Sequence, residues 1–124
     1  MMRVLAATLL LLAACVPTAQ AAPDARAQRE IVALIDGLGT SGCRFERNGS
    51  WYDAAAAKTH LRKKYDYLRK RGMADTAELF IERAASESSM SGKPYHVQCP
   101  GHASETSAQW FRQKLQTLRA APVR

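Results

Sequence analysis

Ser91, Gly92, Lys93, Pro94 and Tyr95 form the stretch of this chain best suited to presenting chemistry to a partner. Glycine lets the backbone turn sharply and proline fixes it, so the lysine ammonium and the tyrosine ring would be held at a set angle, fit to enter an acidic pocket. The plainer reading of the same residues is a tight turn with Tyr95 in the core. No phosphate loop is encoded, because Lys93 is followed by Pro94, which has neither a hydroxyl for magnesium nor a backbone donor. A Ser-x-x-Lys nucleophile is absent too, since Met90 stands three residues before Lys93. A hydrolase made of Ser88, Ser89 or Ser91 with His60 finds no support in the spacing.

The second group is His60, Lys64, Tyr67 and Arg71, which on a helix fall within about 60° of one another. Lys64 and Arg71 would hold a phosphate or carboxylate, with His60 tuning affinity near neutral pH. Such a run also reads as a solvated basic face. A third group, His96, Cys99 and His102 with Cys43, has the residue types of a Cys2His2 metal site. On a strand, however, positions 96 and 99 point to opposite faces, and a disulfide accounts for the cysteines more simply. No metal or cofactor is therefore expected. Glu78, Glu82 and Glu87 make no persuasive carboxylate pair: Glu78 is expected to cap a helix, and the others read as surface charges. No catalytic residue is assigned.

The 124 residues suffice for one domain and carry a formal charge of +7. Arg3 followed by an apolar run over residues 4–12, Pro17, and then Ala19, Gln20 and Ala21 has the form of an export signal. The run is too short for a membrane anchor. Two cuts remain open. One follows Ala21; the other precedes Cys15, where Leu12, Ala13, Ala14 and Cys15 have the form of a lipobox and would leave a lipidated cysteine. The expected layout is a signal over residues 1–21 (or 1–14), a flexible segment over 22–27 and a single domain over 28–120. Both cuts place the domain in the periplasm and leave Cys43 and Cys99 as an even pair in an oxidising compartment, which reads as one disulfide. Loss of Arg3 with the signal lowers the charge by one. A basic exported protein is drawn to anionic envelope components or acidic proteins, with nucleic acid excluded by compartment and the membrane engaged only if Cys15 is lipidated.

The elements that must position these residues can be read in order. Ile31, Leu34, Ile35 and Leu38 give an amphipathic helix over residues 27–38, ended by Gly37 and Gly39. Residues 43–47 alternate as a strand, Asn48 and Gly49 signal a hairpin, and Ser50 to Tyr52 return. Asp53 caps a second helix reaching about Arg71, with Ala54, Ala57, Leu61, Tyr65 and Leu68 buried. Asp75 is expected to cap a third, with Ala77, Phe80, Ile81 and Ala84 inward, fraying over residues 86–91. A strand over residues 95–99 pairs with the Cys43 strand. Ser104 opens the last helix, whose Trp110, Phe111, Leu115 and Leu118 pack inward. The predicted fold class is α+β: about four helices on a small two- to three-stranded antiparallel sheet, with one disulfide.

Several motifs recur together in a known family. They are Phe45-Glu-Arg-Asn-Gly49, Ala57 with His60-Leu-Arg-Lys-Lys64, Ala77-Glu-Leu-Phe-Ile81, Ala85-Ser86, Ser88-Ser-Met-Ser-Gly-Lys-Pro-Tyr95 and Val97. In this order and over most of the chain, they resemble the YfeK-like family of small exported bacterial proteins. That resemblance implies an exported single domain with no established activity. Residues 91–95 are also similar to the Ser-Gly-x-x-Tyr signature of periplasmic lysozyme inhibitors, although that loop sits on an all-β fold and most lysozymes are basic, as this chain is. The expected function is non-enzymatic binding of an unknown envelope protein or anionic envelope component through Ser91, Gly92, Lys93, Tyr95, His60, Lys64 and Arg71. The alternatives are inhibition of an envelope-lytic enzyme and hydrolysis of an anionic envelope polymer.

Overall fold

In the computed structural model, which describes residues 11–15 and 23–121, helix α1 spans Pro23–Gly39 and buries Ile31, Leu34, Ile35 and Leu38. It begins ahead of the expected start at residue 27. Proline suits a first helical turn, and Ala27 is already core. The 23–27 part of the segment expected to be flexible is thus helical. The expected signal lies outside the described residues except for 11–15, where Cys15 is exposed with a free thiol.

Strands β1 (Arg44–Arg47) and β2 (Ser50–Tyr52) form the hairpin, with Asn48 and Gly49 both at positive φ (51° and 81°). Helix α2 (Ala54–Arg69) is capped by the Asp53 carboxylate, which accepts from the Ala56 amide at 2.8 Å. Its buried stripe is the expected one: Ala54, Ala57, Leu61, Tyr65 and Leu68. Helix α3 (Ala77–Phe80) is a single turn that continues as a π-helical turn over Ile81–Ala85. Its cap is Thr76 rather than Asp75, with Oγ1 accepting from the Leu79 amide at 3.1 Å. Glu78 then falls one position short of the place from which a capping box reaches back. Its carboxylate pairs instead with Arg119. The chain does not simply fray after α3, because the Ser86 hydroxyl donates to the Ile81 carbonyl at 2.6 Å and ties off the wide π turn.

Strands β3 (His96–Gln98) and β4 (Glu105–Thr106) complete an antiparallel sheet in the order β2-β1-β3-β4. The sheet thus has one strand more than the upper expectation. Where Ser104 was expected to start a helix, Glu105 and Thr106 pair with Val97 and His96. Thr106 then caps helix α4 (Ser107–Ala120). Two residues are too few to show any alternation, so β4 leaves no pattern in the sequence. In the β1–β3 ladder Arg44 faces Gln98 and Phe45 faces Val97, which sets Cys43 opposite Cys99 one step on, and these two form a disulfide.

The helices cover the sheet to make an α+β fold with Phe45, Leu61, Phe80, Tyr95, Val97 and Phe111 at its centre. Phe80 meets both Tyr65 and Phe111 edge-on, at ring-centroid distances of 5.8 and 6.2 Å. Arg119 of α4 bonds the carboxylates of Glu30 on α1 and Glu78 on α3, fastening three helices at one end. Leu118 is 39% exposed rather than inward, because it sits on the wall of an open cleft. Among the described residues no helix is long and apolar enough to cross a membrane.

The disulfide closes a 56-residue separation. Cys43→Ala/Cys99→Ala is therefore expected to be less stable than the oxidised protein by about 4 kcal/mol, the loop-closure value. Guanidinium unfolding with and without reductant checks this: the double variant should match the reduced wild type, and equal midpoints for oxidised and reduced protein would refute it.

Candidate functional site

Tyr95 lies between the end of the π turn and β3, and its backbone is held from two sides. Its amide donates to the Ser86 carbonyl at 2.9 Å, and its carbonyl accepts from the Ser107 amide at 2.8 Å. So fixed, its ring packs on Phe45 (centroids 4.9 Å apart) and is 1% exposed, while its hydroxyl reaches α2. There it lies 3.2 Å from His60 Nε2 and 3.2 Å from Lys64 Nζ. Lys64 also donates to the Glu87 carbonyl at 3.1 Å. Arg47, the last residue of β1, places its guanidinium against His60 Nδ1 and over the Tyr52 ring.

Hydrogen-bond directions follow from the donor inventory. A guanidinium only donates, so His60 Nδ1 accepts, and in a neutral ring the proton sits on Nε2 and is donated to Tyr95 Oη. An ammonium also only donates, so Oη accepts twice. The tyrosine proton is left to point away from both. The cluster thus offers guanidinium, ammonium and phenol protons. No carboxylate among the described residues lies within ion-pair distance of Arg47 or Lys64.

The titrations reflect that one-sided environment. Burial, followed by the charges of Arg47, Lys64 and Lys63, drives the His60 pKa down from 6.5 to about 4, so the ring is neutral at neutral pH. Burial and the neighbouring Arg47 lower the Lys64 pKa, only partly opposed by the Glu87 carboxylate. Burial raises that of Tyr95.

Beside the cluster, the chain over residues 88–93 folds into a locked turn. The buried Ser88 hydroxyl accepts from the amides of Met90 and Ser91, each at 3.3 Å, and from Asn48 Nδ2 at 3.2 Å. Ser91 Oγ donates to Asn48 Oδ1 at 2.6 Å and accepts from the Lys93 amide at 3.2 Å. Gly92 at φ 72° donates to the Ser88 carbonyl, and the Ser88 amide donates to the Lys93 carbonyl.

Of the residues singled out from sequence, His60, Lys64 and Tyr95 meet, while Ser91, Gly92 and Lys93 lie on the exposed adjoining turn. Of the two readings of residues 91–95, the structure has the plainer one, a tight turn with Tyr95 in the core, and Lys93 and Tyr95 are not displayed together. Tyr95 sits immediately before β3, held by its two backbone bonds, and its ring turns into the core against Phe45. Arg71 also stands apart, donating to the Tyr67 carbonyl and stacking on that ring at 3.6 Å. Helix α2 ends at Arg69, so a helical angle cannot be extrapolated to residue 71. Arg47 and Asn48 were missed, since only strand pairing brings them to residues 60 and 88; the Asn48-Gly49 turn was the one signal nearby. His96 bonds Glu46 across the ladder at 3.1 Å, while Cys43 and Cys99 are spent on the disulfide. Separately, a cleft of about 820 Å³ opens between α1, α4 and the disulfide, lined by Leu34, Val97, Trp110 and Lys114 among others and by no member of the Tyr95 cluster.

Comparison with known proteins bears out the resemblance read from the motifs. Residues 25–119 match the model of a "Family of unknown function (DUF5329)". The Uncharacterized protein YfeK of Salmonella typhimurium is 40% identical over 73 residues, which cover 58% of this chain and 59% of that protein. The alignment thus spans less than two thirds of the relative. No solved structure matches the chain.

A histidine whose folded pKa lies below its unfolded value adds no pH dependence above the unfolded value, and stability falls as the pH drops from there through the folded value. For His60 the window runs from 6.5 down to about 4. Across it the wild type is expected to lose about 1–2 kcal/mol more than His60→Gln, the linkage being reduced for solvent screening. Urea unfolding at several pH values, with the imidazole titration followed by NMR, checks this; parallel stability curves for the two proteins would refute it.

Proposed function

Because the chain belongs to the DUF5329 family, a family of unknown function, its role has to be read from its own chemistry, and we propose that it is a non-enzymatic binding module of the bacterial envelope that takes an anionic group at Arg47, Lys64 and the Tyr95 hydroxyl. The observation that carries this reading is that Arg47 and Lys64 are linked through His60 and the Tyr95 hydroxyl, with no carboxylate among the described residues within ion-pair distance of either cation. Half-buried cations are costly unless something neutralises them. A phosphate or carboxylate supplies both the charge and the acceptor lone pairs the cluster lacks. Neutral His60 acts as a spacer, its two nitrogens orienting Arg47 and Tyr95.

The envelope location rests on the form of residues 1–21 and on the disulfide, which suits an oxidising compartment. The domain would be free in the periplasm or held to the membrane through a lipidated Cys15. Its net charge, +7 for the whole chain and one less without Arg3, favours approach to anionic components. A serine hydrolase gains nothing from the geometry. His60 is engaged by Arg47 and Tyr95, and Ser88 serves as an acceptor within its turn.

Inorganic phosphate is the probe for this reading. NMR titration at neutral pH is expected to give saturable shifts at residues 47, 60, 64 and 95, and to raise the His60 pKa as the bound anion offsets its cationic neighbours. Arg47→Gln and Lys64→Met should each weaken binding about tenfold or more, the loss of one charge-assisted hydrogen bond. Lys63→Met, on the exposed side of α2, should leave it unchanged. Equal weakening by all three substitutions would replace the site with diffuse attraction to a basic surface.

A further inference from the structure

Met90 is 97% exposed at the tip of the 88–93 turn, the most exposed large apolar side chain among the described residues. An exposed methionine on a mobile loop needs no explanation. This one stands on a turn whose backbone is fixed by the Ser88 hydroxyl, by the Ser91–Asn48 pair and by the bond between the Gly92 amide and the Ser88 carbonyl. The β1–β2 turn braces it from behind through Asn48, itself held at positive φ. Pro94, bridged to Glu87, closes the base. The fold therefore commits a buried serine and a left-handed asparagine to holding still a segment whose outermost side chain is almost wholly in solvent.

We propose that the 88–93 turn is a preformed docking knob that seats Met90 in an apolar pocket, edged by carboxylates, on a second protein. Rigid presentation removes the ordering cost that weakens most loop-mediated contacts. Methionine is enriched in the cores of protein interfaces, where its unbranched chain fits irregular pockets. The acidic edge follows from the surroundings: Lys93 is on the turn, and Arg47 and Lys64 lie at its base, with Glu87 as the carboxylate beside them. A bilayer fits less well. The knob's other residues are serines, glycine and lysine, and even an entire acyl chain alone gives only marginal membrane binding. The knob shares its cationic base with the anion site proposed above, but the Met90 contact does not depend on that site.

The test uses the full chain, expressed in a bacterial host that exports it, with a photo-crosslinking amino acid at the exposed Ser89 and, as control, at the exposed Gln116. Expected is a protein adduct of defined mass at position 89 and not at 116, retained in Met90→Leu and reduced about tenfold or more in Met90→Asp, on the scale of one fully buried apolar side chain. Because Met90 is almost wholly in solvent, Met90→Asp should keep the wild-type melting temperature, so lost crosslinking reports lost docking. It should also keep the phosphate-induced shifts, which separates failure of the knob from failure of the anion site. Phospholipid adducts, adducts shared with position 116, adducts indifferent to Met90→Asp, or no adduct at 89 would each overturn the proposal.

Discussion

The pairing of β1 with β3 is the constraint on which the rest depends. It joins residues about fifty positions apart in sequence, with Phe45 facing Val97 and Cys43 facing Cys99. Closing a loop of that length is entropically unfavourable, and α2, α3 and the π turn all lie inside it. Their packing on Phe45, Tyr95 and Val97 and the covalent link between the strands offset that cost together. The same pairing brings Arg47 and Asn48 at one end of β1 beside α2 and the 88–93 turn. Without this ladder neither the cationic cluster nor the braced turn exists.

The cluster around Tyr95 departs from what stability alone favours. Two cations share a half-buried space with a histidine, and a tyrosine hydroxyl accepts where it is equally able to donate. The fold tolerates this because Tyr95 is anchored by its ring and by both of its backbone polar groups, so the repulsion does not push it out. Departures from local consistency of this kind concentrate where a molecule meets something else. The Arg119 clamp is the contrasting case: there Arg119 meets the carboxylates of Glu30 and Glu78, Arg26 also pairs with Glu30, the Glu30 and Glu78 pKa values fall, and charge is balanced within the protein.

Much of the architecture was legible because helices and hairpins leave local marks. The 31, 34, 35, 38 spacing, the Asp53 cap, the stripe of α2 and the Asn48-Gly49 turn all appear in the structure as read. The cysteine pairing was legible from the parity of Cys43 and Cys99 once residues 1–21 are read as an export signal. What was not legible depended on contacts remote in sequence. Thr76 rather than Asp75 caps α3, and β4 is defined only by its pairing with β3. The site was half legible: His60 and Lys64 share a helical face, but their meeting with Arg47 and Tyr95 is a product of strand register. The turn at Ser91 to Tyr95 was found by composition, and of its two readings the structure shows the tight turn with Tyr95 in the core; the bonds from Asn48 that lock it come from a residue remote in sequence and left no local mark.

The sheet's two borders bear on how the protein behaves in a crowd. An open strand invites another chain to add itself, and long flat borders seed aggregates. Here one border is β2, three residues long, and the other is β4, two residues long. The β2 aromatics are covered by neighbouring guanidiniums, Arg44 over Trp51 and Arg47 over Tyr52. An arriving strand finds too short a ladder to join and meets positive charge before it meets a ring. The brevity that made β4 hard to see in the sequence is thus a form of colloidal protection.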